Sequence, residues 1–183
     1  DTAVGGIDSA LWDLRGKIEG KRVSELLGGK DAATEVTLYA SGGCRWDWRT
    51  NPNELIEEVL GYAEAGYKAA KVRMGMEWSW DGVTIDRYLG LMGELMQTVK
   101  GRIEVMVDGN KRLNFDDALE ITRGLDKIGI GWFEEPLPQE DIAGYARLNA
   151  AVDMPITGGE SLTTVAQFRP YFEKKAYAIV QPD

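Results

Sequence analysis

Along this chain, short apolar or β-branched runs alternate with longer stretches whose apolar positions recur at helical spacing. Val36-Thr37-Leu38-Tyr39-Ala40 reads as a strand ending at Ser41-Gly42-Gly43. Asn51-Pro52 opens a helix in which Leu55, Ile56, Val59, Leu60 and Ala63 share a face, and Gly66 stops it. The unit then repeats. Residues 67–74 predict a strand, 83–100 a helix, 103–108 a strand, and Asn114 N-caps a helix through Lys127. Residues 130–135 predict a strand closed by Pro136, followed by a helix near 141–151 and a strand over 155–158. Thr163 starts another helix, and 177–180 is the last strand. Residues 5–29 stand apart: Ile7, Ala10, Leu11, Leu14 and Ile18 line one face of a helix with no strand before it, and Val23 to Leu27 adds a short turn.

Strand-helix alternation over six units implies right-handed parallel crossovers in an α/β fold. A doubly wound sheet and a TIM-type (β/α) barrel both satisfy it. No Gly-x-Gly-x-x-Gly stands at a strand-to-helix turn, which favours the barrel. A full barrel needs eight units, so the expectation is an incomplete one: a lead-in helix over 1–30 and a partial barrel over 31–183.

The acidic residues sharpen this. Asp108, Glu134 and Glu160 each fall at the C-terminal end of a predicted strand, with 26 residues between successive members. In a parallel barrel those ends surround one mouth, so three carboxylates are expected to converge there. Three such groups repel and resist desolvation unless a cation neutralises them, and Mg²⁺ suits them as a hard, oxygen-seeking ion. Lys71 and Arg73, two apart on one strand, are expected on the same face. A divalent ion and a lysine together suit removal of a proton alpha to a carboxylate, because the enediolate that forms carries two negative charges.

Composition narrows the alternatives. The chain has 21 Lys+Arg against 30 Asp+Glu, a net charge of −9, which disfavours a nucleic-acid or anionic-membrane partner. It contains no histidine, so any metal held here must rest on oxygen ligands. The single Cys44 excludes an internal disulfide framework and fits a reducing, cytoplasmic compartment. Cys44 reads as a small loop residue. Trp46, Trp48, Trp78 and Trp80 fall in loops after strands, where they wall a pocket or pack on another domain. Met74, Met76 and Met106 read as core fillers.

The sequence resembles the mandelate racemase / muconate lactonizing enzyme group of the enolase superfamily. The matching stretches, in order, are Gly-Gly-Ile-Asp-Ser-Ala-Leu-Trp-Asp-Leu (5–14), Lys-Val-Arg (71–73), Val-Asp-Gly-Asn (107–110), Trp-Phe-Glu-Glu-Pro (132–136), Gly-Gly-Glu (158–160) and Gln-Pro-Asp (181–183). The resemblance implies Asp108, Glu134 and Glu160 as Mg²⁺ ligands, with Glu135 supporting them from behind. It implies Lys71 on the substrate carboxylate, Asn110 on a substrate oxygen, and Asp183 orienting a histidine base on a following strand. It further implies that the helix near 5–29 trails from an N-terminal capping domain, and that the whole protein is homo-oligomeric. Where relatives often carry a second, basic lysine, this chain has Arg73, a poor base that stays protonated. One strong base suits β-elimination of water, so the expected activity is dehydration of a sugar acid to a 2-keto-3-deoxy acid, with the isolated stretch inactive. Racemisation, epimerisation or cycloisomerisation are alternatives within the superfamily. A barrel glycoside hydrolase using Glu134 and Glu160, or a non-catalytic sugar-acid-binding barrel, are the alternatives outside it.

Overall fold

The computed structural model describes residues 2–44, 51–74 and 84–182, and the chain divides into two compact units, Asp1–Thr37 and Leu38–Asp183. The first holds α1 (Thr2–Glu19), α2 (Val23–Gly28) and a 3₁₀ turn at Gly29–Asp31. Within this unit the apolar positions Ile7, Leu11, Leu14 and Ile18 of α1 are exposed.

The second unit alternates β1 (Ala40–Gly42), α3 (Glu54–Glu64), β2 (Ala69–Arg73), α4 (Ile85–Val99), β3 (Glu104–Asp108), α5 (Phe115–Ile128), β4 (Phe133–Glu134), α6 (Ile142–Asn149), β5 (Ile156–Gly158), α7 (Val165–Lys174) and β6 (Ile179–Val180). All six strands are parallel and lie side by side in chain order. A doubly wound sheet reverses its strand order at a switch point, whereas a barrel adds each strand beyond the last. The described sheet is therefore the partial, TIM-type (β/α) barrel that the sequence predicts.

Helices α4 to α7 each start at a residue whose side chain accepts from the first turn. Asn114 Oδ1 accepts the Asp117 amide at 3.0 Å, and Asp141 Oδ1 accepts that of Gly144 at 2.9 Å. The last helix starts one residue later than predicted. Thr164 is its cap, its hydroxyl accepting from Gln167 N while the Gln167 side chain returns to the amides of Thr163 and Thr164.

The two strand faces carry different chemistry. Ala70, Val72, Val105, Val107, Phe133 and Ile156 pack against Leu55 and Val59 of α3, Met92 and Leu95 of α4, and Ile121 and Leu125 of α5, all fully buried. Each large side chain of this kind contributes roughly 1.5–3 kcal/mol by leaving water. The alternate positions, Lys71, Met106, Asp108, Glu134 and Thr157, point to the opposite face.

Two expectations need correction. The first strand is Ala40–Gly42 rather than 36–40. Val36 and Leu38 are 76% and 67% exposed, while Ala40 is buried and pairs with Ala70. A side chain at position 42 would collide with Tyr62 and Glu58, so small residues rather than β-branched ones fit beside α3. Glu160 does not end its strand: β5 stops at Gly158, and Glu160 sits in the turn beyond it. Trp46, Trp48, Met76, Trp78, Trp80 and Asp183 lie outside the described residues.

Candidate active site and metal centre

Strand register builds the site. Arg73 on β2 is level with Asp108 on β3, Asp108 with Glu134 on β4, and Glu134 with Thr157 on β5. In parallel strands, residues level with one another point to the same face. Lys71 lies two positions below Arg73, and its chain climbs to the same row. Its Nζ donates to Glu134 Oε1 at 2.7 Å and stands 3.8 Å from Asp108 Oδ2. Arg73 Nε is 4.0 Å from Asp108 Oδ2. The predicted basic pair thus faces the predicted acids. The ring of Tyr39 lies 5.8 Å from Lys71 Nζ, adding a cation–π contact.

Both acids are buried, Asp108 at 2% and Glu134 at 1% exposure. Burial, and then the neighbouring charge of Glu134, push the Asp108 carboxyl above the usual carboxylate range. The Asn110 amide and the charges of Lys71 and Arg73 pull it part of the way back. For Lys71, burial favours the neutral amine, but the bond to Glu134 and the charges of Glu134 and Asp108 outweigh it and hold the ammonium above the ordinary lysine range. Asn110 folds back on Asp108, its backbone N–H reaching Oδ1 at 2.9 Å and its Nδ2 reaching Oδ2 at 3.0 Å. The expected substrate-facing amide is thus engaged with Asp108 here.

Two contacts escape the sequence reading. Gln181 Nε2 donates to Glu134 Oε2 at 2.7 Å, so both Glu134 oxygens are held, one by Lys71 and one by Gln181. Lys111 Nζ lies 3.2 Å from Glu135 Oε2. Gln181 stands in the matched Gln-Pro-Asp stretch, which was the available signal; Lys111 had none beyond following Asn110. Backbone strain collects here as well. Asn110, Lys111 and Glu135 have φ of 46°, 65° and 39°, a left-handed region that costs side-chain-bearing residues about 1–3 kcal/mol and clusters at functional sites.

The acid set fits a hard divalent ion in part. Asp108 and Glu134 supply adjacent, buried carboxylate oxygens whose mutual repulsion a cation would relieve. Glu160 is exposed and is not drawn to them; its charge bears on Glu135 instead. Among the described residues, no three acidic, cysteine or histidine side chains gather closely enough to hold a metal. Register explains the difference. The β5 residue level with Glu134 is Thr157, and Glu160 lies three residues farther on, past Gly159 at φ 112°. Equal spacing along the chain therefore does not place the three acids at equal height.

Comparison with known proteins places these features in context. The family model described as enolase C-terminal domain-like matches residues 54–183. An arabinonate dehydratase of Saccharolobus solfataricus is 32% identical over 98% of this chain, which covers 46% of that protein. The crystal structure of a 3,6-anhydro-D-galactonate cycloisomerase from Zobellia galactanivorans superposes with a TM-score of 0.83 at 33% identity, over 97% of this chain and 46% of that one. A mandelate racemase/muconate lactonizing protein from Paracoccus denitrificans, solved in complex with magnesium, gives 0.81 at 26% identity over 95% of this chain and 46% of that one. The chain spans about half the length of these relatives.

Proposed function

The chain belongs to the enolase C-terminal domain-like family, and on that premise we propose that its protein is a Mg²⁺-dependent lyase acting on sugar acids. In this reading it removes the proton alpha to the carboxylate and expels water, giving a 2-keto-3-deoxy acid. The observation that carries it is the single row of Arg73, Asp108 and Glu134, with Lys71 bridging the two acids. Sugar-acid dehydratases and cycloisomerases among the relatives support the substrate class, and the magnesium complex of one structural neighbour supports the metal.

Asp108 and Glu134 would hold Mg²⁺, with the Glu160 side chain turning toward them from its fixed turn as the third carboxylate. When bound, the ion supplies Lewis-acid charge to the substrate carboxylate. The rest falls to side chains. Lys71 presents an ammonium to the same carboxylate and stabilises the charge that develops as the alpha proton leaves. Arg73, protonated throughout, contributes charge and not basicity. Asn110, released from Asp108, would bind a substrate oxygen. Glu135 would support Glu134 from outside the metal's ligands, Gln181 orients Glu134, and Asp183 would orient the base. The glycosidase alternative is disfavoured, because a neutral sugar gives Lys71 and Arg73, which face the acids, no anion to bind. Residues 1–30 are assigned to a capping domain and 31–183 to the catalytic barrel, in a cytoplasmic homo-oligomer. Among the described residues, no helix is long and apolar enough to cross a membrane.

The test is incubation of the full-length protein with a panel of sugar acids, with and without Mg²⁺. The expected result is a 2-keto product from at least one acid, lost on chelation and restored by Mg²⁺. Epimerised or racemised acid with no keto product would contradict dehydration.

A further inference from the structure

One cation ties three strand-end loops together. Lys111 follows Asn110 in the loop after β3, and its backbone N–H donates to Glu135 O at 2.6 Å. Its Nζ lies 3.2 Å from Glu135 Oε2 in the loop after β4, and donates to Ser161 Oγ at 2.5 Å in the turn after β5. Glu135 is 1% exposed, and its other oxygen accepts the Gly159 amide at 3.4 Å. The residue before Ser161 is Glu160, and the residue before Glu135 is Glu134. The loops also touch directly: a side chain at Gly109 would come within 3.0 Å of Pro136 Cα.

The two legs of the Lys111 ammonium do different things. A buried carboxylate needs a counter-charge, and the Glu135 leg supplies it. The Ser161 leg is exposed and adds nothing to that compensation. Its geometric effect is to hold the turn that carries Glu160 against the loops that carry Asn110 and Glu134.

We propose that Lys111 is a positioning residue which, through Ser161 and Glu135, fixes the turn bearing Glu160 and so governs how that carboxylate reaches the ion at Asp108 and Glu134. The inference rests on the reading of Glu160 as the third metal ligand. The three residues with left-handed backbone, Asn110, Lys111 and Glu135, lie in two of the loops that Lys111 joins.

The experiment uses the full-length protein and its S161A, K111M, K111R and K111M/E135Q variants. Three quantities are read: amide hydrogen exchange over residues 159–162, the Mg²⁺ dissociation constant by calorimetry, and the denaturation midpoint. Removing a group that orients a metal ligand weakens metal affinity by roughly 10–100-fold, and K111M should fall in that range with faster exchange over 159–162. S161A should show the same two changes, about 3-fold in affinity, with its midpoint unchanged, because an exposed hydrogen bond adds little stability. K111R should stay within about 3-fold of wild type, since an arginine reaches both partners. K111M/E135Q should regain the stability that K111M loses without regaining affinity. Should K111M fail to fold, S161A and K111M/E135Q decide. Wild-type exchange and affinity in both S161A and K111M/E135Q would reduce Lys111 to a counter-ion and overturn the proposal. A wild-type protein that binds no Mg²⁺ overturns the functional reading instead, and the exchange comparison still decides whether the strap exists.

Discussion

Lys71 faces two buried carboxylates at once, 2.7 Å from Glu134 and 3.8 Å from Asp108. In the proposed reaction, that position makes it the cation against which developing negative charge would be stabilised. Loss of one such preorganised donor typically lowers turnover by about 10²–10³. K71M should show that loss in kcat for a sugar-acid substrate while retaining Mg²⁺ binding by calorimetry, because Asp108 and Glu134 remain. Turnover within about 10-fold of wild type would remove Lys71 from the chemistry. Asp108, Glu134 and Arg73 were legible in the sequence because each ends a strand, and strand ends are set by local pattern; Lys71 was legible because it lies two positions before Arg73, on the same face. Glu160 was legible as a residue but not in position: its place depends on how far the chain runs past β5, and 26-residue spacing is blind to that. Gln181 and Lys111 were not legible as partners. Their contacts span 47 and 50 residues and depend on where separate loops meet in space.

Elements formed where local chemistry was unambiguous. Asn114 reads as an N-cap and caps α5; substituting it by alanine should lower the unfolding free energy by about 1 kcal/mol in denaturant titration, with kcat unchanged. Tyr145 is a different case. It is fully buried, its hydroxyl donates to the carbonyl of buried Leu137, and its ring packs 4.9 Å from that of Tyr177. Y145F leaves that carbonyl unpaired and should cost about 1–3 kcal/mol by the same titration. A cost at Tyr145 well below about 1 kcal/mol would show that the loop after β4 is not held from α6. The first strand marks the limit of local pattern. The β-branched and aromatic run at 36–39 predicted it, yet pairing fell on the small residues Ala40, Ser41 and Gly42, because space beside Tyr62 and Glu58 decided the register.

At the scale of the molecule, the order of the strands was the most predictable feature and the closing of the acid set the least. Alternating periodicities predicted parallel neighbours in chain order, and β1 to β6 follow that order without reversal. Such an order turns every strand end toward one side, which is why residues as distant as Lys71 and Gln181 both reach Glu134. The charge balance of −9 does not by itself oppose an anionic substrate, because Lys71 and Arg73 offset the charges of Asp108 and Glu134 locally, and a divalent ion there would leave the row cationic. The most direct measurement is the anomalous scattering of Mn²⁺ in crystals of the full-length protein grown with that ion. One Mn²⁺ is predicted, bonded to oxygens of Asp108, Glu134 and Glu160, with Lys71 released from Glu134 toward the substrate side. Mn²⁺ bound elsewhere, or an Asp108–Glu134 pair still bridged by Lys71 at saturating ion, would contradict it.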